Sequence, residues 1–174
     1  MDVLEAISTR RSVRRFTAQS VERATLAQLL EAARWAPSRG NRQPWRFVVI
    51  TQPALLDLVR SVSPGAYFVA PAYLLVCFVP EESRIKESGV PDRMCDCYIA
   101  AQNVALAAHA LGLGTCMVRS FSQEALREVL GIPPGVVPQL LLALGYPGDV
   151  PKVPPRRPVP DIVYEDHYGE PWQL

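Results

Sequence analysis

The sequence has 174 residues, of which 49% are hydrophobic and 20% are charged, and its formal net charge is +1. This length suits one domain with its own core, and the balance of residue types excludes a disordered or fibrous chain. A net charge this small argues against general electrostatic attraction to nucleic acid or to a membrane surface. We therefore expect a single globular domain over residues 1–174.

The N-terminus and the apolar runs predict a cytoplasmic protein. Asp2 and Glu5 stand where a secretory signal carries positive charge. The longest apolar runs, such as residues 70–80, are much shorter than the roughly 20 residues that a membrane-spanning helix needs. The four cysteines lack the C-x-x-C spacing of a metal site, and the chain has two histidines, so we predict no metal.

The first half of the chain predicts three helices and two strands. Asp2 can cap a short helix with an apolar face of Val3, Leu4 and Ile7. Apolar residues at helical spacing predict a second helix over 26–36, which Pro37 ends. A polar loop, a strand over 45–51, a helix over 53–61 and a buried strand over 72–79 follow.

The second half predicts one long helix, a shorter helix and a proline-rich arm. Residues 81–91 are charged and lack periodicity, which indicates a mobile loop. The long helix spans 94–111, and it is followed by an extended segment over 113–119, a helix over 123–130 and a strand over 139–144. Seven prolines then predict that residues 146–174 form an extended arm, whose apolar side chains need a surface such as a partner subunit.

An arginine-rich segment follows the first predicted helix. Arg10, Arg11, Ser12 and Arg14 offer guanidinium forks and a hydroxyl, which suit the oxygens of a phosphomonoester. A solvated basic turn explains the same residues. The glycines of a P-loop or of a Rossmann fingerprint are missing, so those two phosphate sites are excluded.

A polar loop precedes the first predicted strand. Pro37, Ser38, Asn41 and Gln43 combine a rigid turn, a hydroxyl and two side-chain amides. Because an amide both donates and accepts hydrogen bonds, such a loop suits the mixed edge of a heteroaromatic ring such as isoalloxazine. A plain connection between a helix and a strand is the alternative, and the arginine-rich segment favours the flavin interpretation.

Four successive motifs resemble those of the nitroreductase family of flavoproteins: T-R-R-S-V-R-R-F, A-P-S-R-G-N-R-Q-P-W, D-C-Y-I-A-A-Q-N and A-L-G-L-G-T-C-M-V. P-P-R-R-P-V-P-D-I-V-Y extends the resemblance towards the C-terminus. The resemblance implies an α+β fold in which helices flank a central, mainly antiparallel sheet. It also implies an intertwined homodimer with an extended C-terminal arm and one FMN at each end of the interface.

The resemblance also assigns residues to the FMN site. One subunit would hold the phosphate and ribityl end, and the other would reach the flavin ring from the opposite side. The phosphate-side residues would be Arg10, Arg11, Ser12 and Arg14, with Arg156 or Arg157. The ring-side residues would be Pro37, Ser38, Asn41 and Gln43 of the opposite subunit, and the backbone around Thr115, Cys116 and Met117. Asp96 and Asn103 are expected to serve the subunit interface.

By resemblance, the chain is expected to move two electrons from NADH or NADPH through FMN to a nitroaromatic, a quinone or a similar flat electrophile in a ping-pong cycle. Because flavin supplies the redox chemistry, no catalytic acid or base is predicted, and His109 is given a structural role. Cys116 is interpreted as a small buried side chain. Other reactions on the same fold remain open, namely enone reduction, heterocycle dehydrogenation, reductive dehalogenation and flavin breakdown, as does a non-enzymatic module that binds nucleic acid or another anion.

Overall fold

The computed structural model describes residues 1–83 and 94–172. The helices are α1 (Val3–Thr9), α2 (Arg23–Arg34), α3 (Pro53–Ser61), α4 (Pro80–Ser83), α5 (Cys95–Ala110) and α6 (Gln123–Leu130). The strands are β1 (Trp45–Ile50), β2 (Ala72–Phe78), β3 (Gly114–Val118) and β4 (Val137–Gly145). Short 3-10 turns occupy Arg39–Asn41 and Val159–Asp161.

The four strands form one antiparallel sheet in the order β1-β2-β4-β3. In this order β1 and β3 are the two edge strands, and β2 and β4 are the two central strands. Strand β2 is buried along its whole length, and β4 is buried over nearly all of its length. This sheet confirms the predicted mainly antiparallel architecture.

Helices cover both faces of the sheet, so the fold has three layers. On one face, Leu74 and Val76 of β2 pack with Leu29 of α2 and Val104 of α5. The opposite face buries Leu75 of β2, and its other core residues include Val59 of α3 and Leu126 of α6. The alternation of side chains along β2 and β4 sends successive residues into two separate cores. The predicted α+β class is thereby confirmed.

Local chemistry accounts for where the helices begin and end. The Asp2 carboxylate accepts the Glu5 N–H at 2.9 Å, and the Ser122 hydroxyl accepts the Ala125 N–H at 3.2 Å. Each satisfies one of the backbone donors that a helix start leaves free. Gly131 ends α6 with a φ of 63°, a conformation that glycine adopts without strain. The predicted bounds of the main helices and strands agree with the structure to within about three residues.

The predicted charged loop over 81–91 is only partly described by the structure. This loop begins as the one-turn helix α4, and the rest of it lies outside the described residues.

Helix α1 was predicted correctly, but its apolar face is exposed in the single chain. Val3, Leu4 and Ile7 are 66%, 73% and 55% exposed. An apolar face this open on a helix that packs on α5 needs a covering surface.

The segment after β4 has no α-helix or β-strand within its described residues 146–172. It makes isolated bridges from Pro147 to Phe16 and from Tyr164 to Pro171. Val150 and Tyr168 are 89% and 93% exposed, which is unusual for large apolar side chains. Across the described ranges, none of the helices combines the length and the apolar character needed to cross a bilayer.

Candidate functional site

The arginine-rich segment is fixed along the outer edge of β3. The Val13 N–H donates to the Thr115 carbonyl at 2.9 Å, and Ser12 pairs with Thr115 as a parallel bridge. This pairing is possible because β3 is an edge strand, whose outer backbone groups are not used by the sheet. Residues 10–14 are therefore held in a defined register against the sheet.

Gly114 permits this close approach. A Cβ atom at Gly114 would lie 2.7 Å from both Cβ and Cγ2 of Val13, far inside van der Waals contact. Gly114 belongs to the motif A-L-G-L-G-T-C-M-V, and no role was predicted for it from the sequence. The signal that could have identified it is a glycine directly before Thr115, because glycine often marks a close approach of two backbones.

A cavity of about 280 Å³ opens next to this edge. The ends of α1 and α5, the start of β3 and the first residues after β4 surround it. Its lining includes Thr9, Arg10, Arg11, His109, Thr115 and Asp149. Three of the predicted cofactor residues, Arg10, Arg11 and Thr115, thus lie on one cavity of one chain.

Arg10 and Arg11 line this cavity, and each has one buried donor without a partner in the described residues. The Nε atoms of Arg10 and Arg11 are buried and have no hydrogen-bond partner within the described ranges. Arg11 also donates through Nη1 to the carbonyls of Ser8 at 2.7 Å and Arg10 at 2.6 Å, which orients its guanidinium group. A buried N–H without an acceptor is destabilising by about 1–3 kcal/mol. The residues present therefore fit a ligand rich in acceptor oxygens, such as a phosphomonoester.

His109 belongs to the same cluster. Its Nε2 atom lies 2.8 Å from the Thr9 hydroxyl. Burial and the nearby charges of Arg10 and Arg11 lower the pKa of His109, while Glu5 acts in the opposite direction. His109 was predicted to have a structural role, and its position on the cavity was not predicted. No local sequence pattern brings Thr9 and His109 together, because the contact depends on how α1 packs against α5.

The polar loop before β1 has an unusual backbone. Gly40, Asn41 and Gln43 have φ values of 59°, 52° and 51°. Left-handed backbone is uncommon for residues other than glycine, although asparagine is enriched there. Hydrogen bonds within the loop support it: the Gln43 N–H donates to the Ser38 hydroxyl at 2.9 Å, and Gln43 Nε2 donates to Asn41 Oδ1 at 3.2 Å.

Asp96 fixes this loop to the start of α5. Its carboxylate accepts the Arg39 N–H at 3.3 Å, and Asp96 itself is 6% exposed. Asn103, further along α5, donates to the Ala32 carbonyl at 3.1 Å. Both residues thus make contacts inside their own chain, and their predicted role at a subunit interface stays a prediction.

The two predicted halves of the site lie at opposite ends of α5 within one chain. The polar loop contacts Asp96 in the first turn, whereas the cavity includes His109 in the last turn. At a rise of about 1.5 Å per residue, these two positions are about 20 Å apart along the helix axis. A single chain therefore does not bring Pro37, Ser38, Asn41 and Gln43 to the arginines.

The remaining predicted residues have mixed positions. Cys116 is 2% exposed and packs in the core behind the sheet, which confirms the interpretation of a small buried side chain. Burial raises the pKa of this thiol, and the charge of Arg14 partly opposes the rise. Met117 is 37% exposed on the edge strand. Arg14, Arg156 and Arg157 are exposed, and in the part of the chain that is described they do not line the cavity.

Comparison with known proteins identifies the family. The model of the nitroreductase family matches residues 7–81 and 65–146. A relative from Methanothermobacter thermautotrophicus carries the name NADH dehydrogenase/NAD(P)H nitroreductase. It is 36% identical over 157 residues, and the match covers 87% of this chain and 80% of the relative. A Bacillus subtilis protein named FMN reductase [NAD(P)H] is 27% identical, and the match covers 96% of this chain and 74% of the relative.

The solved structures agree with the sequence comparison. A nitroreductase family protein from Clostridium difficile superposes with a TM-score of 0.87 at 28% identity, covering 96% of this chain and 99% of that chain. The four-stranded antiparallel sheet, the flanking helices and the motif positions fit the same assignment. The chain belongs to the nitroreductase family.

Proposed function

We propose that this chain is an FMN-dependent oxidoreductase that takes two electrons from NADH or NADPH and reduces a nitroaromatic, a quinone or a similar flat electrophile. The names of the relatives from M. thermautotrophicus and B. subtilis support this proposal, because they join NAD(P)H with nitroreductase activity and with FMN. The working unit is a homodimer of single-domain chains in the cytoplasm. Donor and acceptor use the same site in turn, in a ping-pong cycle.

The observation that carries the proposal is that Arg10 and Arg11 line one cavity and that each has a buried Nε atom with no partner among the described residues. Two guanidinium groups with free donors beside an edge strand are suited to the phosphate of FMN. Ser12, held next to Thr115, adds a hydroxyl, and the β3 backbone around Thr115, Cys116 and Met117 borders the ring. Arg14 and either Arg156 or Arg157 complete the phosphate and ribityl end.

The ring-side residues come from the second subunit. The 20 Å separation along α5 supports this arrangement, since Pro37, Ser38, Asn41 and Gln43 lie at the far end of the helix from the arginines of their own chain. Two antiparallel copies of the helix would bring the loop of one chain to the arginines of the other. The open apolar face of α1 and the exposed segment after β4 supply surface for such a dimer.

Bound FMN supplies the two-electron redox chemistry, and the protein supplies binding and orientation. The arginines neutralise the phosphate, and the amides of Asn41 and Gln43 offer donors and acceptors to the ring edge. The Cys116 thiol has no part in the reaction, because its raised pKa keeps it protonated near neutral pH and its side chain is in the core.

The test is an absorbance spectrum of the purified protein, followed by anaerobic addition of NADH or NADPH. We expect a flavin spectrum after reconstitution with FMN and loss of the yellow absorbance with at least one of the two donors. Addition of a nitroaromatic compound or a quinone should then restore the colour. A protein that takes up no FMN, or whose bound FMN is not reduced by either nicotinamide, would contradict the proposal.

A further inference from the structure

The contact between Thr9 and His109 lies on the proposed phosphate cavity, and the proposed function gives it no role. Thr9 is the last residue of α1, and His109 is the penultimate residue of α5. Both line the cavity together with Arg10 and Arg11. Their hydrogen bond therefore joins the two helix ends that form one wall of the cavity.

The hydrogen bonds of Thr9 determine which nitrogen of His109 carries the proton. Thr9 Oγ1 lies 2.6 Å from the Glu5 carbonyl, which can only accept, so the hydroxyl proton points to Glu5. The 2.8 Å contact between Thr9 Oγ1 and His109 Nε2 then requires Nε2 to donate. Neutral His109 thus carries its proton on Nε2, and Nδ1 is the atom that gains a proton when the ring becomes a cation.

The charges around His109 depend on whether an anion is present. Arg10 and Arg11 act with burial to lower the pKa of His109, Glu5 opposes them, and Asp149 lines the same cavity. In the free protein the ring is therefore neutral near neutral pH. A phosphate dianion at the two arginines would offset their two positive charges, and the imidazolium form of His109 would then no longer be opposed by them.

We propose that His109 is a third, proton-dependent component of the phosphate end: it takes up a solvent proton on Nδ1 when a phosphomonoester binds beside Arg10 and Arg11. The inference rests on the proposed function, because the phosphomonoester is the tail of FMN. His109 adds positive charge to the cavity only when the anion is there. Its bond to Thr9 keeps the arginine-rich segment aligned with α5 in both states.

The experiment compares wild-type protein with the variant His109→Gln, whose amide can still donate to Thr9 but cannot be protonated near neutral pH. Protein freed of flavin is titrated with FMN and with riboflavin between about pH 5.5 and pH 8.5, and flavin fluorescence is followed. Proton uptake on FMN binding is measured by calorimetry in two buffers of different ionisation enthalpy. Riboflavin lacks the phosphate and therefore separates effects on the tail from effects on the ring.

We expect the ratio of wild-type to variant FMN affinity to rise by about threefold to tenfold from pH 8 to pH 6, since one pKa unit corresponds to a factor of about ten. The second ionisation of the free phosphate, with a pKa of about 6, affects both proteins equally and cancels in this ratio. Wild type should also take up more protons than the variant on binding FMN. Riboflavin affinity should be the same in both proteins.

The outcomes separate the two proposals. Coincident pH profiles and equal proton uptake, with FMN bound tightly by both proteins, would overturn the role of His109 alone. An equal loss of FMN and riboflavin affinity in the variant would show a packing role and would also overturn the inference. Wild-type protein that binds no FMN at any pH would overturn the proposed function and, with it, this inference.

Discussion

Among the arginines of this chain, Arg10 and Arg11 are held in a different way from those on the surface. Among the described residues, four other arginines are within ion-pair distance of a carboxylate: Arg15, Arg34, Arg46 and Arg60. These pairs are solvent-exposed, so they add little to stability. Arg10 and Arg11 instead keep buried Nε donors that lack acceptors within the described ranges, and such donors favour a ligand over a structural role.

Replacing either Arg10 or Arg11 by alanine should therefore weaken FMN binding by about 1.5–3 kcal/mol, the usual scale for a hydrogen bond to a charged group. Riboflavin binding should change much less, because it has no phosphate. Fluorescence titration of flavin-free protein measures both. Arg60→Ala is the matched control, since it removes an exposed arginine paired with Asp57 on α3. Unchanged FMN affinity in both variants would remove these arginines from the site.

Gly114→Ala tests the close approach of the arginine-rich segment to β3. The added Cβ would meet Val13 at 2.7 Å, so one of the two segments has to move. We expect a loss of about 1–3 kcal/mol in the free energy of unfolding, as for other overpacked sites, and weaker FMN binding. Urea unfolding and flavin titration measure the two effects. Adding Val13→Gly removes the contacted atoms and should restore part of the FMN affinity; a double variant no better than the single one would contradict this explanation.

Cys77 gives the chain a predictable sensitivity to alkaline pH. The thiol is 1% exposed, and burial raises its pKa to about 11 from an ordinary value of 9.0. Because the folded pKa is above the unfolded one, the stability from keeping this thiol protonated is complete below pH 9 and is lost as the pH rises towards 11. Two pKa units correspond to about 2–3 kcal/mol.

Urea unfolding at several pH values between 8 and 11 measures this effect. Cys77→Ala should lower the stability at pH 8, where the thiol is protonated in both states, but should flatten the decline above pH 9. Cys95→Ala, which changes an exposed cysteine, should keep the wild-type slope. Part of the decline should remain in Cys77→Ala, because burial also raises the pKa values of Tyr73 and Cys116. Parallel curves for wild type and Cys77→Ala would contradict the assignment.

At the scale of elements, the sequence predicted where helices begin, because this depends on residues that are close together along the chain. Asp2 caps the first helix as predicted, and Pro53 begins α3 as predicted, because these effects act within one turn. The strand order β1-β2-β4-β3 could not be predicted in this way, because pairing joins residues far apart in the chain.

For the candidate site, the sequence likewise predicted which residue types and motifs take part, but not the contacts between separate elements. Arg10, Arg11 and the polar loop stood out by residue type, and the family resemblance gave them roles. The left-handed backbone of Asn41 and Gln43 was not foreseen, because neither residue type requires it. The positions of His109 on the cavity and of Gly114 against Val13 were not foreseen, because they come from contacts between separate elements: α1 with α5, and the arginine-rich segment with β3.

The loop that carries Ser38, Asn41 and Gln43 depends on Asp96, and trypsin can report on that dependence. Arg39 and Arg42 lie in the loop and are exposed, so cleavage follows how often the loop opens. Asp96→Ala removes the acceptor of the Arg39 N–H, and we expect cleavage at these arginines to accelerate by about fivefold to tenfold.

Asn103→Ala is the matched control for Asp96→Ala, because it also breaks a hydrogen bond from an α5 side chain to a backbone group, but away from the loop. Mass spectrometry of the fragments identifies the cleaved bonds. Cleavage at Arg39 and Arg42 that is no faster in Asp96→Ala than in Asn103→Ala would show that Asp96 does not hold the loop closed.

At the scale of the whole molecule, the length of α5 determines how the site can be built. Asp96, which contacts the loop, and His109, which lines the cavity with the arginines, are about 20 Å apart along this helix, and the rigid helix fixes the distance between these two residues. The family resemblance assigned the two segments to opposite subunits of a dimer. The structure adds that, within one chain, they lie at the two ends of one helix.

Subunit mixing tests whether two chains share each site. One variant carries Arg10→Ala and Arg11→Ala, and the other carries Asn41→Ala and Gln43→Ala, so that neither homodimer has an intact site. In a shared-site dimer, a heterodimer of the two variants has one site with all the changes and one site with none. Random exchange of equal amounts makes about half of the dimers mixed, which restores about a quarter of the wild-type sites.

The measurement is tight FMN binding after the two variants have been mixed, unfolded and refolded together, with each variant refolded alone as a control. Recovery of about a quarter of the wild-type sites, with wild-type affinity, is the result expected from the arrangement of α5 across a dimer. If each chain built its site alone, every subunit in the mixture would still carry a damaged site. Binding in the mixture would then equal the average of the two separate variants, and the shared-site arrangement would be wrong.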